Sequence, residues 1–349
     1  MLSRPFNGSA GRFSVDSTTS NAPSTDLEAK AEQKREFVQE MIRNLEKSVR
    51  NSHQPEDKRY LRSFMEPDDQ CFRTLINLMT SQKYAGFVSL RCVVLRAVQM
   101  LLKIVQSIAQ SEERGNRKQT PDESSGMKVL QQLVGDQMAS KAFREISSMV
   151  NATDQALVAC DAMLVLAELG PQAFDLRFVH TLLDLFTLLP DRASELVEVA
   201  LRVHAWGGPV RFELLKAAVT HDGGRYMAEV LLQVVNRRDR VRQMRAVKIF
   251  TGCFSLPNGS QFLYTNDKRV LVEILLRELP RYAGNAAEEF ICLAECYRAL
   301  ISQCDVARSH HDADALQLFE DLGEDERNPR QVTEKCTEVL AVLKSSPLD

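Results

Sequence analysis

Apolar residues recur along most of this chain with helical spacing. From about residue 27 to 50 a charged stretch carries Phe37, Met41, Leu45 and Val49 at four-residue intervals, which predicts one narrow apolar stripe. Thr25 and Glu28 stand at capping-box spacing at its start. A second helix is expected over 68–82, with Phe72, Leu75, Ile76 and Met79, after a break around Pro55. The stretch 84–110 is the most apolar of the chain. From 127 onward helices of roughly three to five turns follow one another with short breaks. Gly170-Pro171, Pro190, Gly207-Gly208-Pro209, Gly223-Gly224, Pro257-Asn258-Gly259 and Pro280 mark their ends. Asp191 is placed to cap one of these helices, whose buried face reads Leu196, Val199, Ala200 and Val203. No segment shows sustained two-residue alternation between turn signals, so strands are not expected.

Several of these helices are apolar over more than half their circumference. Such a helix has to be covered on both sides, and stacked helical hairpins do that. Gly170 and Gly207 stand about 37 residues apart, within the range of one armadillo or HEAT unit, although no repeat consensus is present. The expected fold is therefore all-α: an irregular armadillo/HEAT-like helical solenoid in a single domain. A globular helical bundle is the second choice. Residues 1–25, rich in Ser and Thr, read as a disordered tail, and 26–349 as the helical domain. The run SEERGNRKQTPDESSG, 111–126, reads as a flexible surface loop.

Composition narrows the function. The 349 residues carry 44 basic and 47 acidic side chains, a net charge of −3. A general nucleic-acid binder would need a basic excess to neutralise phosphates. The apolar stretch 84–109 is interrupted by Arg91, Arg96 and Lys103, so it reads as buried helix rather than a membrane span. No apolar segment of the secretory type follows the N-terminus, so a cytoplasmic protein with reduced thiols is expected.

The chain offers little to chemistry. Phosphate loops, HExxH, GxSxG and EF-hand patterns are missing, and no catalytic function is expected. Cys292 and Cys296 lie one helical turn apart, with His310-His311 downstream, and zinc accepts those atom types. The two cysteines also share an apolar face with Ala299 and Leu300, which makes them core thiols. No metal and no cofactor is expected. His180, within FVHTLLDLF, reads as a satisfied core or groove histidine. The marked charge cluster is Arg237, Arg238, Arg240, Arg242 and Arg245, with Lys248 beyond. A helix beginning at Arg238 would set Arg238, Arg242 and Arg245 on one face. This is a candidate surface for an acidic protein partner, because the planar guanidinium pairs well with carboxylates. The acidic run 312–326 reads as a solvated loop or weak helix.

One segment says more than composition does. Residues 261–280 read QFLYTNDKRVLVEILLRELP. Asn266 is placed to cap a helix, with Asp267 in its first turn. Val270, Leu271, Ile274 and Leu275 are its expected buried face, and Pro280 its expected end. The turn Tyr264, Thr265, Asn266, Asp267 and the helix after it resemble the leucine-rich domain of the WISH/DIP/SPIN family. The preceding helix, RAVKIFTGCFS from Arg245 to Ser255, is similar too.

The resemblance implies an armadillo-like fold and a specific activity. Members bind the actin-related protein 2/3 complex and activate it allosterically without a preformed filament. The product is a linear actin filament. Cortical actin structures and endocytosis would be the setting, actin an indirect partner, and nucleic acid and membrane insertion play no part. Protein contacts are expected at Arg237, Arg238, Arg240, Arg242, Arg245, Lys248, Lys268 and Arg269. The alternative is a general armadillo-type scaffold or adaptor unrelated to actin.

Overall fold

The computed structural model describes residues 25–50, 74–75, 77–78, 81–84, 86–115, 153–171, 174–237 and 239–345, with the side chains of 105–115 and 153–154 left aside. The expected tail falls outside these residues apart from Thr25. So do most of the expected 68–82 helix, the 116–126 part of the expected loop, and Arg238.

The described residues are helical throughout, with no strand among them. In chain order the helices are α1 (Thr25–Arg50), α2 (Val88–Gly115), α3 (Thr153–Leu169), α4 (Arg177–Leu188), α5 (Ala193–Trp206), α6 (Gly208–Thr220), α7 (Asp222–Val235), α8 (Arg240–Phe254), α9 (Thr265–Ala283), α10 (Ala287–Ile301), α11 (Asp305–Ser309), α12 (Asp312–Glu324) and α13 (Arg330–Lys344). The fold is the all-α, solenoid-like arrangement that the pattern predicts. No described helix is long and apolar enough to cross a membrane.

Ion pairs give the direction of the helices. Arg96 Nε lies 3.5 Å from Asp161 Oδ2, and Lys103 Nζ lies 3.9 Å from Glu168 Oε1. Both partners advance by the same two turns, so α2 and α3 run parallel. Asp161 is also met by Arg192, in the turn that enters α5, and Glu168 by Arg202 on α5, each at 2.6 Å. Arg242 pairs with Glu198, and six residues further along each helix Lys248 acts electrostatically on His204, so α5 and α8 are parallel too. Arg240 with Glu289, and the Cys292 thiol donating to the Met244 carbonyl at 3.9 Å, continue the series to α10. Lys335 with Glu295 at 3.3 Å carries it to α13. One row of parallel helices, α2, α3, α5, α8, α10 and α13, thus runs through the molecule, joined along its seams by charge. A second row, α4, α7, α9 and α12, packs against it, with α6 wedged between α5 and α7. In this second row α7 and α9 are also parallel, because Arg225 meets Tyr264 near their starts and Asn236 meets Arg277 near their ends.

Between the rows lies a continuous apolar core. Leu196, Val199, Ala200 and Val203 are buried, as the spacing predicts. Phe250 packs on Phe254 and Phe262, with ring centroids 5.9 and 5.7 Å apart. The close approach of α6 and α7 requires Gly224, where a Cβ would lie 1.9 Å from the Ala218 carbonyl oxygen.

The structure departs from the expected pattern in several places. The buried stripe of α1 is Ala31, Val38, Met41, Leu45 and Ser48, while Phe37 and Val49 are exposed. That stripe repeats at coiled-coil spacing and lies along α2. Asp191 does not cap α5. It sits in the 3-10 turn Pro190–Arg192, which swings Arg192 toward Asp161. Helix α2 continues to Gly115, into the stretch expected as loop. Pro280 lies inside α9, which runs on to Ala283 because Tyr282 and Ala283 still have packing partners there. Val270 is exposed, while Leu271, Ile274 and Leu275 are buried. Of the two readings of 312–326, loop or weak helix, the structure has a helix over 312–324: α12, anchored by buried Ala315 and by Phe319 against Tyr297 at 5.5 Å.

Candidate partner-binding surface

Helix α8 begins at Arg240, and Asp239 caps it by accepting a hydrogen bond from the Arg242 backbone N–H at 3.2 Å. Starting the helix two residues later than Arg238 changes which arginines face outward. Arg240 pairs with Glu289 of α10 and lies over the Tyr282 ring, 5.6 Å from its centroid. Arg242 is half-buried against Glu198 of α5. Both guanidinium groups join neighbouring helices. Arg245 and Lys248 are exposed on α8 and have no ion-pair partner among the described residues.

Arg237 stands apart from these two. It is exposed in the α7–α8 connection and lines a cavity of about 390 Å³ with Asn236, Gln243, Arg277, Glu278, Arg281 and Tyr282. Glu278 is buried there and holds Arg277 Nε at 2.9 Å and Arg281 at 2.8 Å. Arg277 also donates to Asn236, and the Tyr282 hydroxyl donates to Gln243 at 3.2 Å. Burial, with Glu278 the leading charge, raises the Tyr282 hydroxyl above its ordinary range, so it remains a donor.

Lys268 and Arg269 belong to the other end of α9. The expected patch therefore divides into Arg237 at one end of α9, Lys268 and Arg269 at its start, and Arg245 and Lys248 on the opposite row. The end of α9 that holds Lys268 also carries the turn. Tyr264 has extended backbone and is half-exposed, and its ring lies 5.2 Å from the Arg225 guanidinium. Thr265 and Asn266 are exposed, and Asp267 is half-buried in the first turn. Asn266 does not cap the helix: Tyr264 is the cap residue and gives no side-chain hydrogen bond. Tyr226 is half-exposed beside Arg225. This end thus gathers Arg225, Tyr226, Tyr264, Lys268 and Arg269, aromatic faces with cations, a composition typical of protein-binding surfaces. Arg225 and Tyr226 went unnoticed in the sequence, because only the parallel course of α7 and α9 brings them to the turn.

The thiols offer no reactive centre among the described residues. Cys253 and Cys296 are fully buried, and burial raises both. Burial pushes Cys292 up to about 11. His310 and His311 lie against Glu273 rather than against the cysteines. His180 is an exposed surface residue, its Nε2 3.2 Å from Glu213 Oε1.

In class, then, this is an all-helical solenoid with an aromatic and basic surface at one end of its second row. Residues 212–316 match the family model of the SPIN90/Ldb17 leucine-rich domain, which shows the resemblance read from the Tyr264–Asp267 turn. The match runs from α6 into α12 and contains Arg225, Tyr226, Tyr264, Lys268 and Arg269. It links this part of the chain to actin and endocytosis regulation. No curated protein matches the chain. Among solved structures the chain is similar to the crystal structure of an engineered protein, at 18% identity and a TM-score of 0.40, over 79% of this chain and 97% of that one.

Proposed function

We propose that this protein binds the actin-related protein 2/3 complex and activates it without a preformed filament, so that linear actin filaments form. The observation that carries this reading is the family match over 212–316, which encloses the turn and both helices that present it. The activity is binding, not catalysis. The protein favours the active arrangement of the complex by holding it more tightly than the inactive one, and that difference in affinity is the whole driving force. Parallel rows joined by ion pairs give a stiff platform, and a stiff platform loses little entropy on docking. The contact surface is the α7–α9 end, with Arg225, Tyr264, Lys268 and Arg269, and the site of action is the cytoplasm at cortical actin.

The test is actin polymerisation with the purified chain and the complex, without added filaments. A shortened lag and unbranched filaments under the microscope are expected. An unchanged lag overturns the proposal and leaves the chain a scaffold for other partners.

A further inference from the structure

Two consecutive histidines connect α11 to α12, and a carboxylate of α9 faces both. His310 Nε2 lies 3.0 Å from Glu273 Oε1, and His311 Nε2 lies 4.0 Å from the same oxygen. The two imidazoles meet edge to face, with centroids 4.4 Å apart. One donor atom from each of the three residues lies within 4.8 Å of the others.

Neighbouring side chains in a helix or a strand point in different directions. Here the chain turns both rings toward one oxygen by placing His311 in the left-handed region, at φ 58°. A non-glycine residue adopts that conformation at a cost. A further carboxylate fixes the second ring: His311 Nδ1 lies 2.8 Å from Asp314 Oδ2. An Nδ1–H donated to Asp314 leaves the Nε2 lone pair directed at the Glu273 side. Metal-bound histidines are held in this way, by a carboxylate behind the ring.

We propose that Glu273, His310 and His311 form a binding site for a divalent transition-metal ion, with zinc as the best fit. Two imidazole nitrogens and one carboxylate oxygen suit zinc and leave a fourth position open to water or a partner's side chain. Ligands about 2.0 Å from a tetrahedral ion lie about 3.3 Å from one another. The His310–Glu273 spacing of 3.0 Å is already close to that edge. His311 Nε2, 4.0 Å from the same oxygen, has to approach by about 0.7 Å to reach it. Without the ion, His310 Nε2–H donates to Glu273. On binding, the neutral ring carries its one proton on Nδ1 instead, so that the Nε2 lone pair faces the ion. The ion would tie α9 to the α11–α12 junction, and the proposal stands independently of the actin reading.

The untagged full chain, stripped with chelator, should be titrated with zinc chloride by calorimetry and by competition with a chromophoric chelator. One ion per chain is expected. His310→Ala with His311→Ala should abolish this site. Asp314→Asn should weaken it about tenfold at unchanged stoichiometry. Cobalt(II) should give visible absorption bands that disappear in the double variant. Circular dichroism checks the fold of that variant, and Glu273→Gln, at an exposed position, serves if the double variant unfolds: it too should weaken binding. Failure of the wild type to bind zinc overturns the proposal. So does equal affinity in the variants, or loss of the ion only in His180→Ala with His221→Ala, the other histidine pair among the described residues.

Discussion

Arg192 donates to Asp161 Oδ1 at 2.6 Å across the seam between α3 and the turn entering α5. Asp161 is only 2% exposed, and Arg192 also holds Glu195 at 2.6 Å through both carboxylate oxygens. Burial alone would lower the guanidinium's proton affinity, but the bonds to Glu195 and Asp161 raise it above the ordinary range, so Arg192 stays charged.

Removing Arg192 leaves a buried carboxylate whose other cation, Arg96, is 3.5 Å away and mostly exposed. Arg192→Met should therefore cost about 3–5 kcal/mol, the range for breaking a buried pair from one side. Glu195→Ala removes the outer partner alone and should cost less than about 1 kcal/mol. Urea unfolding followed by circular dichroism distinguishes the two. Equal losses would mean that the seam is held by apolar packing and not by charge.

His204 sets a pH window. It is buried on α5, and its Nε2 has no hydrogen-bond partner among the described residues. Burial, together with Arg211 and Lys248, lowers it from the ordinary 6.5 to about 4. In this interval the unfolded chain takes up a proton that the folded chain refuses. Stability therefore falls as pH drops from about 6.5 to about 4, and this contribution stays level beyond either limit. The loss amounts to about 3 kcal/mol at about 1.4 kcal/mol per unit. His204→Gln should flatten the difference in unfolding free energy between pH 7 and pH 5 relative to the wild type. An identical pH dependence would show that His204 takes up its proton as readily in the fold as in the unfolded chain.

Two glycines should respond in opposite ways to the same substitution. A Cβ at Gly224 would lie 1.9 Å from the Ala218 carbonyl oxygen, which belongs to rigid helix backbone. Gly224→Ala should cost about 1–3 kcal/mol through forced separation of α6 and α7. At Gly284, after α9, no atom lies within 4 Å of a built Cβ, and φ is −82°. Gly284→Ala should be neutral, or stabilising by about 0.4–1 kcal/mol through the unfolded chain. Thermal unfolding of both variants tests this pair.

Local signals in the sequence located most helices. Gly207 acts where the chain's own chemistry puts it, at φ 76° between two helices. Where such signals failed, a tertiary contact had taken over. Asp191 gives up its cap because Arg192 is drawn to Asp161, thirty-one positions away by its hydrogen bond. Pro280 does not stop α9 because Arg281 still reaches Glu278 and Tyr282 still reaches Gln243. The candidate surface was legible only in part, for the same reason. Charge along one helix gave Arg240 and Arg242, but no periodicity shows that Glu289 and Glu198 wait across the seams. Arg225 meets Tyr264 only through the shared direction of α7 and α9.

That division changes which variants test partner binding. Reversing Arg242 sets a second carboxylate against Glu198 in a half-buried seam, so Arg242→Glu reports on stability before it reports on any partner. Tyr264→Ala with Arg225→Glu alters an exposed pair whose mutual attraction is about 0.5–1 kcal/mol, so the fold should survive. Lys268→Glu with Arg269→Glu removes two cations that have no ion-pair partner among the described residues. If the α7–α9 end binds the actin-related protein 2/3 complex, each double variant should lose affinity in a pull-down and lengthen the polymerisation lag. Loss of a hot-spot aromatic should account for about thirtyfold or more, about 2 kcal/mol or more. Arg245→Glu with Lys248→Glu, on the opposite row, should leave both readouts unchanged. The reverse outcome would move the binding surface to α8 and the face of the parallel row.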